Sequence, residues 1–79
     1  MNAIKKAAVI ETLLSLGASQ QGPSVFSMAG RKFTIHKYSI KSTGKKPDWM
    51  CDLMDLREDE IRTAVEGFIA EVSCADERG

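Results

Sequence analysis

Apolar side chains recur with helical spacing near both ends of the chain and alternate with polar ones in the middle. At 100° per residue, Ala7, Val9, Ile10, Leu13, Leu14 and Leu16 cover about half the circumference of a helix over residues 3–16. Lys5, Glu11, Thr12 and Ser15 lie on the other side, Lys6 interrupts the apolar side, and Gly17 suits the left-handed position just past a helix end. A stripe this wide implies that the helix packs between two elements or that part of the stripe meets a partner.

Residues 18–24 (ASQQGPS) read as a linker with a Gly-Pro turn. Residues 25–41 read as a hairpin that turns at Gly30-Arg31. In its second strand Phe33 and Ile35 alternate with Thr34 and His36. Tyr38 and Ile40 fall in the opposite phase, so a bulge near His36-Lys37 is expected. Residues 42–47 (STGKKP) form a second turn. In residues 49–54, Trp49, Cys51 and Leu53 alternate against Met50, Asp52 and Met54, which suits a third strand; a helical turn is the alternative.

The final helix is predicted over residues 56–73. Asp55 is the expected cap, Glu58 reaches back to it, and Glu58, Asp59 and Glu60 complement the helix dipole. Ile61, Ala64, Val65, Phe68, Ile69 and Val72 form one narrow apolar stripe, with Gly67 on the polar side; residues 75–79 are expected to fray. The fold class is therefore α+β: a single small domain, residues 1–79, in the order α-β-β-(β)-α. An antiparallel sheet of two or three strands carries both helices on one face.

Charge changes this picture. Residues 1–47 hold eight Lys and Arg against one Glu, a formal +7, and residues 48–79 hold three Arg against ten Asp and Glu, a formal −7. The net charge of zero hides a dipolar chain, a property that bears on partners and steering. Arg31, Lys32, Lys37, Lys41, Lys45 and Lys46 fall on the hairpin and the turn after it, with Phe33, His36 and Tyr38 interleaved. Three readings fit: a solvated face balanced by the acidic helix, a protein-binding patch, or a nucleic-acid patch in which cations meet phosphates and rings meet bases.

The order of elements resembles that of the double-stranded-RNA-binding domain family, and Gly22-Pro23 precedes the hairpin roughly as a Gly-Pro does there. The resemblance implies phosphate contact by lysines at the start of the second helix. Here those positions are Glu58, Asp59 and Glu60, which repel phosphate, so no functional residue is carried over.

Other constellations are thinner. Gly44-Lys45 lacks the earlier Gly (Ser39 stands there) and the hydroxyl after Lys (Lys46) of a phosphate-binding P-loop. His36, the single histidine, has no nucleophile placed beside it by a readable motif and reads as a half-exposed strand residue. Cys51 and Cys74 with one His do not make a four-ligand zinc site, and Asp48, Asp52 and Asp55 lack the spacing, Gly and distal Glu of a calcium loop. No metal or cofactor is expected. Met28, Met50 and Met54 read as core filler near Trp49, with an adaptable exposed patch as the alternative. Trp49 itself is expected to anchor the third strand to the helices; exposed, it would be an interface hot spot.

A 79-residue chain builds a small core, a poor setting for a deep, water-excluding active site. Two cysteines are too few for the disulfide framework of a small secreted domain and read as reduced thiols in a cytoplasmic protein, a single bridge being the alternative. Lys5-Lys6 followed by an apolar run has the outline of a signal peptide, but Glu11 interrupts it; no segment reaches the roughly 18–20 apolar residues of a membrane span. The leading expectation is a non-enzymatic interaction module, of the kind that small regulators and inhibitors (those of phages and plasmids included) use. It binds an acidic protein surface, or itself with basic hairpin against acidic helix, through Arg31, Lys32, Lys37, Tyr38, Lys41, Lys45, Lys46 and Trp49. The alternative is a nucleic-acid-binding domain that uses the basic hairpin.

Overall fold

A five-stranded antiparallel meander is flanked in sequence by two helices in the computed structural model, which describes residues 5–78. Helix α1 spans Lys6–Ser15, and the strands are β1 (Ser19–Gly22), β2 (Val25–Met28), β3 (Arg31–Ile35), β4 (Ser39–Thr43) and β5 (Trp49–Asp52); helix α2 spans Glu58–Arg78. The sheet order is β1-β2-β3-β4-β5, so each strand pairs with its neighbours in sequence. Five strands replace the expected two or three, and two corrections account for them. The polar stretch read as a linker is β1, which pairs with β2 through an irregular register at Gln20–Gly22. An edge strand needs only backbone groups on its paired side, and SQQG supplies no hydrophobic alternation to reveal it.

The long second strand of the expected hairpin is two strands, β3 and β4, joined by a turn at residues 36–38. The change of phase between Ile35 and Ile40 marks that turn rather than a bulge. His36 N–H donates to the Ser39 carbonyl at 2.8 Å, and Ile35 pairs directly with Ile40, which puts both inward. Ser42 and Thr43, read as part of the second turn, belong to β4. A separate correction concerns the first hairpin turn, which lies one residue earlier, at Ala29-Gly30. Both residues have positive φ (54° and 79°), the signature of a type I′ connection between twisted strands.

Alternation sorts the sheet into two faces. Phe26, Phe33, Ile35, Ile40 and Leu53 are buried, and with Ala8, Val9 and Leu13 of α1 and Ile61, Val65, Phe68, Ile69 and Val72 of α2 they form one core. Both helices therefore lie on one face. Phe33 meets Phe68 edge to face at 6.3 Å, a geometry that adds about 0.5–1.5 kcal/mol beyond area burial. The α2 stripe is buried as its spacing predicts. Trp49 and Cys51 are half-buried on the inner face, and Trp49 anchors β5 with its indole Nε1 buried and unpartnered among the described residues. Met28 packs against the core, but Met50 and Met54 are exposed, so two of the three methionines are not the expected filler.

Helix boundaries differ from the expected ones for local and long-range reasons. In α1, Val9 and Leu13 are buried but Leu14 and Leu16 are exposed, so only part of the wide stripe is covered. The expected start of that helix, residues 3 and 4, lies outside the described residues. Gly17 takes φ +97°, as its place after the helix predicts. Helix α2 starts later than Asp55 would set it: the N–H of Arg57 donates to Glu60 Oε1 at 3.0 Å, so the carboxylate that reaches back over the helix start is Glu60 on Arg57, two residues on from the expected Glu58 on Asp55. At its other end α2 runs to Arg78, where fraying was expected. Ala75 and Asp76 are half-buried there, and Asp76 is held by Arg31.

Two backbone positions yield a test. Ala29 sits in the left-handed region, which costs a non-glycine residue roughly 1–2 kcal/mol and which Asn tolerates better. Gly44 sits at φ +96°, and a Cβ there would stand 3.3 Å from the backbone N of Lys32 and 3.4 Å from the Gly30 carbonyl oxygen. Ala29→Asn is expected to raise the thermal midpoint by a few degrees and Gly44→Ala to lower it by at least about 4–8 °C, read by circular dichroism melting. Melting unchanged in both variants would contradict this account of the two turns.

Candidate interaction surface

The eight residues singled out from sequence fall in four different places. Lys32 and Lys41 stand on the outer face of the sheet, away from both helices. Lys32 is opposite Thr43 and Lys41 opposite Thr34, so the two lysines are diagonal neighbours in a Lys/Thr square, with backbones roughly 7–8 Å apart. Met50, opposite Lys41 on the same face, is 67 % exposed. For Met50 the exposed alternative holds rather than the leading reading as core filler, and its alternation with Trp49 and Cys51 carried that signal.

Lys37 and Tyr38 lie in the β3–β4 turn. The Lys37 ammonium sits 5.3 Å from the centre of the Tyr38 ring, which is half-buried, and the Tyr38 carbonyl accepts from Leu53 N–H at 2.8 Å. Lys45 and Lys46 lie at the opposite end of the sheet, in the β4–β5 loop. With Pro47, Ala75 and Asp76 they line an open cleft of about 540 Å³; a second of about 340 Å³ lies between Ala29, Lys45, Ser73, Asp76 and Glu77. Lys45 thus shares its clefts with two carboxylates and is not part of the open face.

Arg31 is not a surface contact, and Trp49 is half-buried on the inner face. Arg31 is 2 % exposed, a correction to its reading as part of the basic patch. As the first residue of β3 it shares the inward phase of Phe33 and Ile35. A charge in that position requires partners, since an unpaired buried ion costs several kcal/mol. Nε donates to Asp76 Oδ2 at 2.8 Å and Nη2 to Asp76 Oδ1 at 2.7 Å, a two-point pairing of guanidinium and carboxylate. Nη1 reaches Ser42 Oγ at 3.2 Å and the carbonyls of Lys45 and Pro47 at 3.3 and 3.2 Å. One side chain therefore fastens β3 to β4, to the β4–β5 loop and to the last turns of α2.

The pairing perturbs both groups in the direction of charge. The hydrogen bonds from Arg31 hold the Asp76 carboxyl below the ordinary carboxylate range, and those to Asp76 raise the guanidinium above its ordinary value. Burial, followed by the charges of Asp52 and Glu71, pushes the Cys51 thiol up, away from the reactive thiolate. Cys51 and Cys74 are both free. His36 is exposed in the turn after β3. Among the described residues no group of three His, Cys, Asp or Glu is placed to hold a metal ion, and no helix is long and apolar enough to cross a membrane.

The charge segregation of the sequence becomes a segregation of layers. Helix α2 buries its apolar stripe against the inner face, and Glu58, Asp59, Glu60, Glu66, Glu71 and Glu77 are exposed on it. The open sheet face carries Lys32 and Lys41 among hydroxyl side chains, with Asp52 at its β5 edge.

Asp76→Asn removes the anionic partner of Arg31 and is expected to lower the thermal midpoint near neutral pH. Because the folded carboxyl is depressed, its contribution is fully present above the unfolded value near pH 4 and is lost as pH falls through the folded value. The gap between wild type and Asp76→Asn should therefore hold from pH 7 to about pH 4 and close below it, in melts taken across that range. A gap that stays constant down to pH 2 would contradict the pairing.

Comparisons of the chain with protein families, with curated proteins and with solved structures find no match, which leaves this geometry as the basis for a functional reading.

Proposed function

We propose that this chain is a small non-enzymatic binding module that docks an acidic protein surface on the open face of its sheet. The observation that carries the reading is the uncovered outer face, where Lys32 and Lys41 project from adjacent strands with Met50 beside them. Both helices and most of the carboxylates lie on the other side, so an acidic partner is attracted to one face and repelled from the other. Charge arranged in this way speeds association and selects orientation more than it adds affinity. A role as a regulator or inhibitor, which acts by covering a partner's surface, is compatible with a module of this size.

A protein is favoured over a nucleic acid by where the rings lie. Phe33 faces Phe68 in the core and Tyr38 is half-buried beneath Lys37, so the open face offers lysines without a stacking platform for bases. Arg31, the side chain best suited to two-point phosphate contact, is engaged by Asp76.

The test is capture of a partner from source-cell lysate by wild type and by the double variant Lys32→Glu, Lys41→Glu, at low and high salt. The reading predicts a protein retained at low salt by wild type and lost by the variant. Capture that is unchanged in the variant removes the open face as the contact. Retention of duplex DNA or RNA instead, with affinity that falls steeply between about 50 and 200 mM salt, would favour the nucleic-acid reading.

A further inference from the structure

The apolar side chains that the core covers only in part or not at all form a ridge along α1. Ala8, Val9, Thr12 and Leu13 are buried, whereas Ala7 is exposed, Ile10 is half-buried and Leu14 is 46 % exposed. Residues 7, 10 and 14 follow the three-then-four spacing of a helix–helix seam. The ridge is bordered by one charge of each sign: Lys6 immediately precedes its first member and Glu11 immediately follows its second. In heptad terms Ala7, Ile10 and Leu14 take a, d and a, Lys6 takes g and Glu11 takes e.

We infer that this ridge is the seam of a homodimer in which α1 packs in parallel against α1 of a second copy. The charge pattern selects both the occupant and the direction. In a parallel pair a g residue meets the e residue five positions further on in the partner helix, and Lys6 and Glu11 are five apart. Two Lys6–Glu11 pairs then close over the apolar seam by symmetry. An antiparallel pair would instead set Lys6 against Lys6 and Glu11 against Glu11. Within its own chain Glu11 meets Arg62 at 3.7 Å, yet its side chain stays 66 % exposed and free to accept a second cation. The seam uses the helix layer, so it is independent of the open sheet face. A contact one helix wide belongs with the small, transient interfaces below about 1,200 Å², so association appears at high protein concentration.

Sedimentation equilibrium on the whole chain, from about 10 µM to about 1 mM, tests this directly. Wild type is expected to shift from monomer toward dimer across the range. Lys6→Glu and Glu11→Lys, both at exposed positions, should each weaken self-association by roughly tenfold, because every cross-helix pair becomes a repulsion. An equimolar mixture of the two variants should regain dimer, since a Lys6→Glu chain beside a Glu11→Lys chain restores opposite charges at both pairs. Circular dichroism melts establish that each variant is folded, and Leu14→Lys should abolish dimer altogether. Wild type that stays monomeric up to 1 mM overturns the inference. So does a mixture no more associated than its components, or self-association that survives all three substitutions but is lost in Lys32→Glu, Lys41→Glu.

Discussion

A single buried guanidinium ties together parts of this chain that are distant in sequence. Arg31 opens β3, yet its partners stand at positions 42, 45, 47 and 76. The carboxylate of Asp76 neutralises its charge, and three oxygens around Nη1 replace the water it gives up. The loop between β4 and β5 and the last turns of α2 have few apolar residues of their own. Their positions follow from the need of a buried cation for acceptors.

The same residue fixes which charges reach solvent. With Arg31 inward, period-two alternation places Phe33 and Ile35 in the core and Lys32 and Thr34 on the outer face, and pairing with β4 then puts Lys41 outward too. A shift of one residue would bury Lys32 and expose Phe33. The basic stretch of the sequence is thereby divided: one cation becomes a structural fastener, two mark an open sheet face, and the rest occupy turns at opposite ends of the sheet. Carboxylates on α2 lie across the core from that face. A chain with zero net charge becomes a molecule with chemically different sides, which is the physical basis for reading it as a docking module.

Much of this was legible in the sequence where the signal was local. The stripe from Ile61 to Val72 gave α2, the alternation of Phe33 and Ile35 gave the buried phase of β3, and Trp49–Cys51–Leu53 gave β5. What escaped had distant or backbone causes. Strand β1 is held by pairing alone and its Ser and Gln side chains say nothing of a sheet. The turn at residues 36–38 imitated a bulge because both reverse the alternation. Fraying was expected after residue 74 because nothing nearby in sequence holds the helix end; its partner lies 45 residues earlier. For the same reason Arg31 read as a surface cation, since a local pattern of Lys and Arg does not distinguish one that finds a carboxylate in the fold from those that face water.

Amide hydrogen exchange in wild type and Arg31→Met measures that fastener most directly. Met keeps much of the apolar stem while removing every donor. The prediction is that the last turns of α2 (residues 73–78) lose protection, while Phe26 and Phe33 in the β2–β3 ladder keep theirs. Unchanged protection at residues 73–78, or a uniform loss across the sheet, would contradict it.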